Sequence, residues 1–161
     1  MVRSLALSVP VVSLLSAASA VLEMIAPQVA EKKLCVESAE IPEGLSAVAD
    51  EDRVRQILLN LLANALKFTP AEGTLSLSYA SSARDVSIAL TDTGIGIPPE
   101  QLARIFEPFV QAERALRPSD QGVGLGLAIS RQLARAMGGE LLVESTVGVG
   151  STFTLHLPIA S

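Results

Sequence analysis

The chain predicts an α/β (α+β) two-layer sandwich, in which a mixed, mostly antiparallel sheet of about five strands is covered on one face by about three helices. Three observations carry that prediction. Segments with helical three-four spacing alternate with short segments of period two along the whole chain. Two pairs of the short segments are joined by turns brief enough for hairpins. Apolar residues make up 49% of the 161 residues while aromatics make up only 3%, so the core is built from Ala, Leu, Val and Ile, which suits helices layered closely on a sheet.

Taken in order, residues 1–10 read as a flexible end. Val11, Leu15, Ala18, Leu22, Ile25 and Val29 then recur at helical spacing and predict a helix over 11–32, bent or restarted at Pro27, which lacks a helical donor. The uncharged run between Arg3 and Glu23, ending Ala17-Ala18-Ser19-Ala20, imitates a secretory signal. Its five serines and Pro10 suit a membrane poorly, and the stripe continues through the would-be cleavage site to Glu31-Lys32-Lys33, which favours an amphipathic core helix. Short strands are expected at 33–37 and 45–49. Asp50 is placed to cap a second helix that runs to Phe68 and stops before Pro70. Strands over 74–80 and 86–91 flank a turn from Ser82 to Asp85. Pro98-Pro99 opens a short helix to about Phe106, and residues 111–121 read as a long loop. A last helix over 125–137 ends at Gly138-Gly139, and strands at 141–145 and 151–157 close the chain. No repeat, low-complexity tract or linker divides it, so residues 1–161 form one domain.

The net charge of −5, with no extended Lys/Arg run, argues against nucleic acid as a partner, because phosphate neutralisation needs clustered cations. Phosphate bound here must be held by a few placed donors and a metal. Cys35 is the single cysteine and His156 the single histidine. That rules out an internal disulfide, suits a reducing compartment and supplies too few ligands for zinc.

Three clusters remain. Asn60, Asn64 and Lys67 share one face of the second helix. An amide oxygen can ligate Mg²⁺ and an ammonium can meet phosphate, although the same residues also fit a solvent-facing polar stripe. Asp92-Thr93-Gly94-Ile95-Gly96-Ile97 follows an apolar strand, where a carboxylate can accept from an exocyclic amine and glycines let backbone approach a flat ring. The alternative is a turn that needs glycine conformations. Gly122-Val123-Gly124-Leu125-Gly126-Leu127 leads into a helix, whose N-terminus can face anionic oxygens. A dinucleotide fingerprint is excluded there, since a polar loop rather than a strand precedes it.

In this order the clusters resemble the ATP-binding catalytic domain of sensor histidine kinases, within the gyrase/kinase/mismatch-repair ATPase superfamily (the Bergerat fold). The stretch from Asn60 to Thr69 is similar to the N box, and Asp92 to Ile97 to the first glycine box. Phe106-Glu107-Pro108-Phe109 resembles the F box, and Gly122 to Leu127 the second glycine box. Gly148-Val149-Gly150-Ser151-Thr152-Phe153 is also similar to the family's closing motif. The likeness spans about residues 11–158. It implies ATP and Mg²⁺ as cofactors. Asn64 would ligate the metal, Asn60 would help position metal and phosphates, and Lys67 would touch the triphosphate. Asp92 would accept from the adenine amino group, so ATP would be preferred to GTP. Gly94, Gly96 and Ile97 would shape the pocket floor, and Thr152 would frame the adenine. Phe106 and Phe109 would flank an ATP lid over about 110–122, hinged by Gly122, Gly124 and Gly126 beside Leu125 and Leu127. Arg114 and Arg117 in that lid are candidate γ-phosphate contacts or plain solvated charges.

In the superfamily's hydrolases a glutamate stands one helical turn before the metal-binding asparagine and activates water. Asn60 occupies that position here and cannot take a proton, so the resemblance implies a kinase with slow hydrolysis. The acceptor histidine would lie on a separate dimerisation/phosphoacceptor domain, since His156 sits on a late strand and reads as structural. A response regulator receiver domain would be the downstream partner. The isolated domain is expected to be a cytoplasmic monomer and its parent kinase a homodimer. Two other readings share the fold: a nucleotide-sensing docking module without catalysis, and a serine protein kinase of the anti-sigma-factor type.

Overall fold

The computed structural model describes residues 10–42, 44–107 and 121–160, and at 121–125 the backbone only. Its elements are β1 (Val11–Ser13), α1 (Leu14–Lys32), β2 (Cys35–Ser38), β3 (Ser46–Val48), α2 (Glu51–Phe68), β4 (Thr74–Ser81), β5 (Asp85–Asp92), α3 (Pro99–Leu102), α4 (Gln121–Ala136), β6 (Glu140–Thr146) and β7 (Gly150–Pro158). The main sheet has five strands in the order β2-β4-β5-β7-β6. Only β2 and β4 run parallel, with Cys35 beside Thr74, and the other neighbours are antiparallel. The expected mixed, mostly antiparallel sandwich is therefore present.

Period two decides which side of the sheet is covered. Leu75 and Leu77 on β4, Val86, Ile88 and Leu90 on β5, and Phe153, Leu155 and Leu157 on β7 are all buried. They face Val21 and Ile25 of α1, Ile57, Leu58, Leu61 and Leu62 of α2, and Leu127 and Ala134 of α4, in one core. Helix α2 packs between α1 and α4. Fully burying a side chain such as Phe153 stabilises the fold by about 1.5–3 kcal/mol.

Helix α2 starts where its cap dictates. The Asp50 carboxylate accepts from the N–H groups of Asp52 and Arg53 at 2.9 and 3.3 Å, and Glu51 and Asp52 favour the positive end of the helix dipole. In the β4–β5 turn the Ser82 hydroxyl accepts from the N–H groups of Arg84 and Asp85. None of the helices among the described residues is long and apolar enough to cross a membrane.

Three expectations are corrected. Residues 11–13 are not helical: they pair antiparallel with β3, Val11 opposite Val48, and Ser13 caps α1 by accepting from the Ser16 N–H. The buried stripe of α1 is accordingly Leu14, Ala17, Ala18, Val21 and Ile25. Pro27 lies inside a continuous α1. It is exposed, so the Glu23 carbonyl that loses its helical donor can turn to water. Helix α4 begins at Gln121 rather than 125, which puts the second glycine box within the helix. Each glycine there costs only about 1 kcal/mol relative to alanine, less than tertiary packing can offset. The predicted lid, apart from its last two residues, lies outside the described residues.

Candidate functional site

Strand β5 delivers a carboxylate to the edge of the core. Its alternation places Asp92 on the helix-covered face after Val86, Ile88 and Leu90, only 5% exposed. The carboxylate accepts from the Gly94 N–H at 2.8 Å. Burial pushes the Asp92 carboxyl above the ordinary aspartate range, and hydrogen bonds from the Gly94 and Ser151 backbones pull it partly back. A buried carboxylate of this kind gains from any further donor that a ligand brings.

Helix α2 supplies the opposite wall. Asn64 is 7% exposed, and its Oδ1 is buried with no hydrogen-bond partner. An orphaned amide oxygen costs about 1–3 kcal/mol, which a ligand able to use a lone pair would recover. Between these walls lies a narrow cleft lined by Asn64, Phe68, Asp92, Ile95, Gly96, Ile97 and Ser151.

The glycine-rich turn is shaped by backbone contacts. A Cβ on Gly94 would stand 2.6 Å from the Phe68 carbonyl oxygen. Gly96 has φ +78°, and its Cβ would stand 2.3 Å from the Thr146 carbonyl oxygen. Only glycine meets both conditions there. The turn is then fixed by Ser145, whose Oγ accepts from the Ile97 N–H at 2.7 Å and donates to the Gly150 carbonyl at 3.0 Å. With the Ser145 proton used in this way, the 2.8 Å contact between the Ser145 and Ser151 hydroxyls has Ser151 as donor.

Of the residues singled out by sequence, Asn64, Asp92, Gly96 and Ile97 line this one cleft, and Gly94 joins it through its N–H. Thr152 does not. Its hydroxyl meets that of Thr91 at 2.9 Å on the other face of the sheet, because neighbouring strand residues point to opposite faces. Ser151, the preceding residue, lines the cleft instead. Asn60 turns toward α4, its Nδ2 donating to the Ser130 hydroxyl at 3.0 Å. Lys67 lines a separate, open groove with Gln28, Glu31, Lys32, Ala63 and Leu66. Phe106 packs against the core with the Arg131 guanidinium 4.6 Å above its ring. Leu127 is buried, while Gly122, Gly124, Leu125 and Gly126 lie in α4. Phe109, Arg114 and Arg117 lie outside the described residues.

Sequence reasoning missed Ser151, Ser145, Phe68 and Ile95. Ser151 and Ser145 were within reach of the period-two pattern once Asp92 was placed on the covered face. Phe68 and Ile95 depend on how the helix end and the turn meet, which no local pattern encodes.

Mg²⁺ fits the donor set. A hard oxygen is what this ion prefers, and it keeps most of its shell as water and phosphate oxygens. Asn64 Oδ1, buried and without a hydrogen-bond partner, is an oxygen of that kind.

Residues 49–161 match the family described as Histidine kinase-, DNA gyrase B-, and HSP90-like ATPase. The circadian input-output histidine kinase CikA of Synechococcus elongatus is 46% identical over 110 residues, covering 68% of this chain and 15% of that protein. The adaptive-response sensory kinase SasA of Gloeothece citriformis is 40% identical over 141 residues, covering 86% of this chain and 35% of that protein. Among solved structures, full-length ShkA in complex with AMPPNP superposes with a TM-score of 0.80 at 37% identity, over 96% of this chain and 32% of that one. The chain thus spans about a third or less of the length of these relatives.

Proposed function

The chain belongs to the histidine kinase-, DNA gyrase B-, and HSP90-like ATPase family, as the ATP-binding catalytic domain of a sensor histidine kinase, and on that premise we propose how its cleft works. It binds Mg²⁺-ATP and presents the γ-phosphate to a histidine on a separate dimerisation/phosphoacceptor domain. The observation that carries this reading is the pairing of a buried, donor-seeking Asp92 with the partnerless Asn64 Oδ1 across one cleft.

In this reading Asp92 accepts from the adenine amino group, and Gly94, Gly96 and Ile97 keep the turn close to the ring. Guanine would set a carbonyl oxygen against the carboxylate, so ATP is preferred over GTP. Asn64 offers its oxygen to the metal, and Lys67, whose side chain lies in the groove beside α1, brings its charge to the phosphates by turning its flexible stem toward the cleft. Mg²⁺ when bound supplies neutralisation of the phosphate oxygens. Asn60 is an amide and takes no proton, so water is not activated and hydrolysis is slow. The phosphoryl group then passes from the acceptor histidine to a response regulator receiver domain. The parent kinase is a homodimer, while this domain alone is a monomer, on the cytoplasmic side where ATP is found.

Calorimetric titration of the chain with ATP and GTP, with and without Mg²⁺, tests the reading. The expected ATP affinity is micromolar, on the order of −7 to −8 kcal/mol, with GTP much weaker. A folded sample that binds no ATP would overturn it.

A further inference from the structure

Helix α4 carries a serine where its surroundings call for an apolar residue. Ser130 is 0% exposed, between helical neighbours such as the buried Leu127 and Ala134. A hydroxyl so placed costs free energy unless it is hydrogen bonded. Its partner lies on another helix, where Asn60 Nδ2 donates to Ser130 Oγ at 3.0 Å. The same nitrogen lies 3.4 Å from the Gly126 carbonyl oxygen, one turn earlier on α4.

These two contacts decide which end of the Asn60 amide is which. A carbonyl oxygen only accepts, so the group facing Gly126 must be the NH₂. Flipping the amide would set oxygen against oxygen. Both amide hydrogens therefore have acceptors on α4, and the side chain has only its oxygen left to offer. An oxygen is the end that a metal-bound water or a hard cation can use, whereas an NH₂ would repel either. A Cβ at Gly126 would stand 3.5 Å from Asn60 Cγ, an ordinary van der Waals distance, so the two helices are in direct contact at this point.

We propose that Ser130 is a positioning residue for the metal site: by accepting from Asn60 Nδ2 it holds the amide with its oxygen free for the Mg²⁺ and phosphate chemistry. The inference rests on the nucleotide-binding reading above and assigns Ser130 a role through Asn60, with no contact of its own to nucleotide. Loss of the serine acceptor lets the amide rotate, so Mg²⁺ coupling weakens while nucleotide binding without metal persists.

The test compares ATP affinity in saturating Mg²⁺ with that in a chelator, for the wild-type chain, Ser130→Ala, Asn60→Ala and the double variant. The wild-type ratio defines the Mg²⁺ coupling. Ser130→Ala is expected to reduce it by about three- to tenfold, with affinity in chelator within about twofold of wild type. In the Asn60→Ala background the same change adds nothing, because the two act as one unit. Ser130→Cys, which fills the site with a poorer acceptor, falls between, and it serves alone if Ser130→Ala does not fold. Unchanged coupling in a folded Ser130 variant, or an equal loss with and without Asn60, overturns the proposal. So does a wild-type chain that binds ATP equally with and without Mg²⁺. A wild-type chain that binds no ATP at all fails earlier, at the functional reading itself.

Discussion

Asp92 and Ser151 stand directly opposite each other in the β5–β7 ladder, both on the helix-covered face. One residue along, Thr91 and Thr152 are paired in the same register on the opposite face, their hydroxyls 2.9 Å apart. The ladder thus separates two hydroxyl residues that are adjacent in sequence, giving one to the cleft and one to the outer surface.

That separation makes a paired prediction. Ser151→Ala removes a hydroxyl lining the cleft and the donor to Ser145, and should weaken ATP binding by about two- to tenfold. Thr152→Ala removes only the partner of Thr91 and should leave ATP affinity within about twofold of wild type. Calorimetry of the two variants decides the matter. The reverse ranking would return the adenine-framing role to Thr152.

Much of this arrangement is legible in the sequence. Helix α2 announces itself through the Asp50 cap and an unbroken apolar stripe, and the covered strands through strict alternation. Asp92 was legible because it ends such a strand beside two glycines. The misreadings came where one pattern satisfied two structures. Val11 fits a helical stripe as well as it fits a three-residue strand, and only pairing with Val48 separates them. Ser151 and Thr152 are both strand hydroxyls, and which faces the cleft depends on the register with Asp92. Asn60, Asn64 and Lys67 do share a helix face, but their side chains meet α4, the cleft and the α1 groove respectively. No spacing rule carries that information, because the neighbours of α2 are set by tertiary packing.

Acid should weaken nucleotide binding earlier than an ordinary aspartate would. Burial raises the Asp92 pKa in the free domain above the ordinary aspartate value of 3.8, and a donor from adenine favours the ionised form. Binding therefore requires deprotonation, so affinity is constant above the raised pKa and falls as pH drops through it, approaching about tenfold per unit. Stability runs the other way. The folded state holds this proton more tightly than the unfolded chain, so the contribution of Asp92 to stability rises as pH falls through the raised value toward 3.8. Asp92→Asn should bind ATP poorly at every pH and show neither trend. Affinity measured across a pH series checks this, and a wild-type profile flat down to the ordinary aspartate range would contradict it.

The glycine turn should be intolerant at Gly96 for two separable reasons. Its φ of +78° is a conformation that side chains rarely adopt, costing about 1–2 kcal/mol for a residue with a Cβ. A Cβ would also lie 2.3 Å from the Thr146 carbonyl oxygen, and that neighbour is backbone, held by the β6–β7 pairing next to Gly150. Relief therefore requires the turn and the β6–β7 hairpin to part, which would break the hydrogen bonds from Ile97 to Ser145 and from Gly148 to the Ile95 carbonyl. Gly96→Ala is thus expected to lose more than the conformational cost alone, about 2–4 kcal/mol in urea denaturation, together with ATP binding. Gly148→Ala provides the control. Its φ of +82° imposes the same conformational cost, but nothing lies within 4 Å of its Cβ. It should lose only about 1–2 kcal/mol, and an equal loss in the two variants would show that the backbone contact with Thr146 contributes nothing.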